Sequence, residues 1–154
     1  MIIKRGITSF FNCNNRGAIP EFTLAEFKRI VYTVASNLRL DMSTIIERSV
    51  TPNFHRAQLD GSDISILMLG HSTYPLIAFA EPTDQNVCQL RFVDCTRIAK
   101  ELQNLFPGVT IADSGELTRK VTETDIERLD DVERKQIQYW KPTTVGEVAF
   151  NWWD

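Results

Sequence analysis

The sequence is poor in the residues that build chemical centres. It holds two histidines, His55 and His71, and three cysteines, Cys13, Cys88 and Cys95. An odd cysteine number with no CxxC pair fits free thiols in a reducing compartment rather than a disulfide framework. There is no HExxH and no histidine pair at i, i+4, so no metal site is expected. GxxxxGK[ST], GxGxxG and GxSxG are all missing; the glycines at 61, 70, 108, 115 and 146 stand alone in turns or helices, and no cofactor is expected. The apolar run of residues 64–69 is broken by Ser65 and falls far below the ~20 residues of a membrane span. Residues 1–17 lack an apolar core followed by a small-residue cleavage site, which points to a cytoplasmic protein. No repeat, low-complexity tract or Gly/Ser/Pro-rich linker divides the 154 residues, so they are expected to form a single domain, 1–154.

What is present is an ordinary apolar fraction, 43%, with 24% charged residues, enough to bury a core without staples. The net charge is -3 but unevenly spread. Residues 113–133 are the densest acidic stretch, with Asp113, Glu116, Glu123, Asp125, Glu127, Asp130, Asp131 and Glu133 against Arg119, Lys120 and Arg128. Such a run is either a solvated helix face or a surface that attracts a basic partner; it repels phosphate backbones, so no nucleic acid is expected.

Local patterning gives an α+β architecture: an antiparallel β-meander of four to six strands with an N-terminal helix and C-terminal helices packed on it. Residues 1–5 are apolar enough for an edge strand, and 8–17 suit a loop. Thr23 and Glu26 form a capping box, with Phe22 and Phe27 in staple positions, opening a helix to about Leu38 whose stripe is Leu24, Phe27, Val31, Val34 and Leu38. Strands over 54–59 and 63–69 flank Asp60-Gly61, suited to a tight hairpin turn, and residues 70–73 lead to a strand over 76–80. The runs 64–69 and 76–79 are apolar on both alternating sets, the mark of central strands. Residues 89–93 alternate as a half-exposed strand, and Asp94 is placed to cap a helix with Ile98, Ala99, Leu102 and Leu105 inward. Residues 109–112 suit a further short strand. Thr122 or Thr124 opens a third helix with Ile126, Leu129, Ile137 and Trp140 on one stripe, ended by Pro142. Thr144 and Glu147 form another capping box, and Val145, Val148, Ala149 and Trp152 share a face of the closing helix from which Phe150 and Trp153 point away.

All three tryptophans, Trp140, Trp152 and Trp153, fall in this last stretch. Two readings follow: the tail closes the core, or part of its aromatic cluster meets a partner. The expected partner-binding residues are Glu123, Asp125, Glu127, Asp130, Asp131, Phe150 and Trp153, joining an acidic rim to aromatic anchors. Catalytic alternatives are few. Cys95 at a strand-to-helix junction, with His55 or His71 as base, and His71 in a loop are the candidates; Asp94 beside Cys95 opposes thiolate formation, and Glu101 stands where a CxxxxxR motif needs arginine. Asp130-Asp131 and Asp125/Glu127 diverge on a helix and make a poor acid/base dyad.

Residues 139–154, YWKPTTVGEVAFNWWD, resemble the C-terminal stretch of small bacterial immunity proteins that accompany polymorphic or contact-dependent toxins. The resemblance implies a non-enzymatic inhibitor that binds a toxin domain, one with a basic surface if the acidic segment takes part. Two readings stand beside it: a small cytosolic enzyme or enzyme subunit using Cys95 or His71, and a structural or adaptor subunit that dimerises through its aromatic C-terminus. The oligomeric state stays open.

Overall fold

The computed structural model describes residues 1–11, 14, 19–43, 45–48, 50–84 and 87–154. Cys13 and half of the expected 8–17 loop lie outside them. The fold is α+β. Its centre is a six-stranded sheet in which β1 (Asp41–Met42), β2 (Phe54–Asp60), β3 (Ser65–His71), β4 (Leu76–Ala80) and β5 (Phe92–Val93) follow one another as an antiparallel meander. β6 (Thr110–Ile111) runs parallel to β4 and shares its free edge with β5: Leu76 and Ile77 face β6, Phe79 and Ala80 face β5.

Both faces of β3 and β4 are covered, as their uninterrupted apolar runs require. On one face lie α1 (Leu24–Leu38) and α2 (Thr96–Leu105), whose Phe27, Ile30, Val31, Val34, Ile98 and Leu102 pack on Ala57, Leu59, Ile66, Met68, Ile77 and Phe79. The other face takes the chain's first residues, Ile2, Ile3 and Ile7, together with four short helices, α3 (Ser114–Thr118), α4 (Glu123–Glu127), α5 (Asp131–Trp140) and α6 (Val145–Ala149).

The capping box predicted for α1 is present: Thr23 accepts from Glu26 N–H and Glu26 accepts from Thr23 N–H, while Phe22 meets Phe27 edge-on. Gly70 allows the closest approach between helix and sheet, since a Cβ there would stand 2.4 Å from the Phe27 ring. The helix stripe is shifted from expectation: Ile30 and Ala35 are buried, whereas Leu24 and Leu38 are half-buried.

Other expectations are corrected. Residues 1–5 form no strand, because the chain turns at 4–9 with Gly6 at φ 85° and Ser9 at φ 65°, and this conformation breaks the period needed for pairing. The β2–β3 hairpin does not turn on Asp60-Gly61: Asp60 pairs with Ser65, leaving residues 61–64 as a four-residue loop closed by Gly61 N–H to Ile64 O. Gly70 and His71 extend β3 rather than beginning the connection. Of residues 89–93 only Phe92 and Val93 are strand. Asp94 does not cap α2, whose N-cap is Cys95; its carboxylate accepts from the N–H and hydroxyl of Ser114 instead and fixes the start of α3. Leu105 is exposed. The single helix expected after Thr122 is two, because Asp130 and Glu133 form a second capping box and restart the ladder at Asp131. Lys141 then leaves the right-handed region at φ 51° before Pro142. α6 begins as expected with Thr144 and Glu147 reciprocally bonded but ends at Ala149, so the helical extrapolation to 150–153 does not hold.

Candidate functional site

The tail that follows α6 is locked to the sheet by buried polar groups. Asn53, just before β2, and Asn151 exchange bonds: Asn151 N–H donates to Asn53 Oδ1 at 2.9 Å and Asn53 N–H to Asn151 O at 3.0 Å. Asn53 Nδ2 also donates to Ala149 O and Ile7 O, and Asn151 Nδ2 to Val148 O and Thr8 O. Two side chains therefore tie together the N-terminal segment, the start of β2 and the C-terminal tail. His71 completes the knot. Its Nδ1 accepts from Thr73 and Tyr74 N–H and its Nε2 lies 2.7 Å from Ile7 O, a pattern that requires the neutral ring with Nε2 protonated. With Nε2–H committed to Ile7, the 3.4 Å approach of Asn53 Nδ2 to Nε2 is a contact between two donors. Burial, reinforced by the charges of Lys4 and Arg48, lowers the His71 pKa to about 4, although its bond to Ile7 O acts the other way.

Glu133 is the second buried anchor. One oxygen accepts from Gly6 N–H, Thr8 N–H and the Thr8 hydroxyl, the other from Asp130 N–H. Burial raises its pKa and these four donors oppose that rise. The acidic stretch thus spends one carboxylate on holding the N-terminal turn to α5.

These observations relocate the candidate site. Phe150 is 1% exposed, packed against Phe54, Phe92 and His71, and Trp153 is buried with its N–H on Asn151 Oδ1. Trp152 is half-buried, edge-on to Phe54 at 5.1 Å. Asp125 is buried in a bidentate pair with Arg119, which also holds Glu116; hydrogen bonds from Arg119 and Thr122 keep the Asp125 carboxyl well below the usual range. Phe150, Trp153 and Asp125 are therefore corrected as contact residues: the chain itself covers them. Glu123, Glu127 and Asp131 are exposed, and Asp130 is half-buried, 3.7 Å from Arg5.

Trp140, expected on the inward stripe of its helix, is exposed, and so is Tyr139, which the expected contact residues do not include. Tyr139 and Trp140, at the end of α5, are 76% and 37% exposed, their rings 5.2 Å apart and nearly perpendicular. Trp140 also lies parallel to Trp153, at 6.4 Å and 4°, and so continues the buried aromatic cluster to the surface. A signal existed for Tyr139, which lies two residues beyond inward Ile137 and so leaves its face on a 3.6-residue period; Trp140, three residues on, keeps that face but stands at the last position of α5. Beside Trp140 opens a cleft of about 580 Å³ between residues 88–92 and the tail, lined among others by Leu90, Phe92, Trp140, Pro142, Trp152 and Trp153. Lys141 and Glu147 sit on its rim, and Glu147 is committed to the N–H groups of Thr143 and Thr144.

The candidate catalytic residues are not brought together. His71 and Cys95 belong to opposite faces of the sheet, His71 against Phe150 and Cys95 in the core with Ile98 and Phe79. His71, expected in a loop, is fully buried because β3 runs on through it. His55, the other candidate base, is buried too: it stacks on Phe27, accepts from Arg48 N–H at Nδ1 and points Nε2 to Phe22 O, and burial lowers its pKa. Among the described residues no group of three or more His, Cys, Asp or Glu could hold a metal ion. No helix among them is long and apolar enough to cross a membrane. No protein-family model matches the chain, and no curated protein or solved structure matches it.

Proposed function

We propose that this is a non-enzymatic protein-binding protein whose contact surface is centred on Tyr139 and Trp140, and that its partner is a cognate bacterial toxin domain that it neutralises in the cytoplasm. The observation that carries the reading is the exposed aromatic pair beside an apolar cleft, on a helix whose opposite end is acidic. Large aromatics with one side anchored in the fold are the residues that dominate interface energies, because their area is rigid before binding. Trp140 has that form, with one face on Trp153 and its indole N–H on Gln136. Glu123, Glu127 and Asp131 supply an exposed negative rim suited to a basic partner, worth more in association rate than in final affinity. The choice of a toxin as partner rests on the resemblance of residues 139–154 alone. Much of that stretch is occupied in holding the fold: Thr144 and Glu147 cap α6, Phe150 fills the core and Asn151 ties the termini.

The test is capture of the tagged protein from its native host at moderate salt, with native mass spectrometry of the eluate. The expected result is one stoichiometric partner, lost on Tyr139→Ala/Trp140→Ala and retained by wild type. Recovery of the same partner at equal affinity with the double variant would refute the surface. A partner other than a toxin would refute the immunity reading and leave the surface standing.

A further inference from the structure

A second feature, away from the α5 surface, concerns one arginine. Arg56 lies in the middle of β2, opposite Leu69 of β3 in register, with both its backbone N–H and C=O bonded to Ile46 on the other side, and strand alternation places its side chain with Phe54 and Gln58. The residue is 6% exposed. Buried guanidinium groups normally meet carboxylates or carbonyls. Here no hydrogen bond or ion pair reaches the Arg56 side chain from any described residue. It borders a cavity of about 310 Å³ whose other walls include Ser43, Gln58, Leu67, Thr83 and Asp84. The Thr83 hydroxyl is buried and also has no partner. Of the other polar walls, the Ser43 hydroxyl pairs with the Gln58 backbone and Gln58 Nε2 donates to Asp60, while the Asp84 carboxylate stands exposed at the cavity edge.

We infer that this cavity is a binding site for a small oxyanion, a carboxylate or phosphate group, held by the Arg56 guanidinium and the Thr83 hydroxyl. Two unfilled donor groups facing one space are the complement of an acceptor-only ligand, and the planar guanidinium fork accommodates two oxygens side by side. The Arg56 backbone is fixed in the ladder and its side chain borders the cavity, so an entering oxyanion gains a charge-assisted bond at little further reorganisation. Burial pulls the Arg56 pKa below the ordinary arginine value while Asp84 pulls it back, consistent with a cation whose compensation is incomplete. Asp84 is the opposing charge on the cavity wall; it weakens an anion and sets the site apart from a general basic patch.

The experiment follows the arginine Nε–Hε signals of the full chain by NMR during titration with inorganic phosphate and, separately, acetate at constant ionic strength. The Arg56 signal, assigned by its disappearance in Arg56→Lys, shifts saturably with a Kd on the order of 1 mM, the scale of a few charge-assisted bonds. Thr83→Val weakens the binding severalfold, and Asp84→Asn, an exposed position, tightens it. Stronger saturation by phosphate assigns the site to phosphate groups, and equal or stronger saturation by acetate to carboxylates. A response linear in both anions and shared with exposed Arg97 is an ionic-strength effect and overturns the inference. Arg56 would then be an inward charge that discourages strand addition next to the short edge strand β1.

Discussion

The two faces of the sheet are held in different ways. Under α1 and α2 the contact is almost wholly apolar, Phe27 over Gly70 and Ile98 and Leu102 over Phe79 and Ile77, and its helices are set by periodic stripes and a capping box. Beneath the termini, short helices that could not stand alone are joined by Asn53, Asn151, His71 and Glu133, each bonding to backbone far away in the chain. Apolar burial is non-directional and tolerates adjustment, whereas buried polar bonds specify one arrangement and are costly when half made. The first face therefore provides bulk stability, and the second fixes where the chain ends and which aromatics remain outside.

Substitutions on the two faces separate these roles. The largest effect is expected for Phe27→Ala, about 4 kcal/mol by urea unfolding, from lost burial and the cavity over Gly70. Asn53→Ala is expected to cost about 3 kcal/mol, since it strands Asn151 N–H and the carbonyls of Ile7 and Ala149. A cost below that of an average surface change would show that water replaces those bonds. The polar face also carries a pH signature. The His71 pKa is depressed from 6.5 to about 4 in the folded state, so the unfolded chain binds the proton first. That contribution is whole above pH 6.5, declines as pH falls towards 4 and amounts to about 3 kcal/mol. Glu133, with a raised pKa, has the opposite sign, its contribution being lost as pH rises through the folded value. Comparing wild type with His71→Gln across this range isolates the histidine, and parallel pH curves would contradict the assignment. Smaller still, Thr23→Ala and Thr144→Ala should each cost about 1 kcal/mol in thermal unfolding, one cap on each face. Tyr139→Ala should change stability by about 0.5 kcal/mol or less, because its loss matters only to a partner.

The same division governs how much was legible in the sequence. Apolar period and cap chemistry are local, so α1, the runs of β3 and β4, and the start of α6 can be read from neighbouring residues. The break between α4 and α5 was legible as well: Asp130 three residues before Glu133 repeats the spacing of Thr23 and Glu26, but an unbroken stripe was the more conspicuous pattern. Asn53 beside a proline and Asn151 between aromatics carry no local sign that they meet, because their partners lie 98 positions apart. The candidate site inherited that blindness. Phe150 and Trp153, conspicuous in the tail, read as anchors and Trp140 as inward, yet Trp153 is enclosed by a tail whose path Asn151 determines, and Trp140 is left at the surface.

Native-state hydrogen exchange at single amides tests this account most directly. The amides of Asn151 and Trp153, each bonded to a buried asparagine oxygen, should be protected to the same level as those of β2 and β3 and lose that protection in Asn53→Ala. If they exchange as quickly as exposed amides in the wild-type protein, the tail is not part of the core. Trp152 and Trp153 are then open to a partner, and the assignment of the binding surface to Tyr139 and Trp140 falls with it.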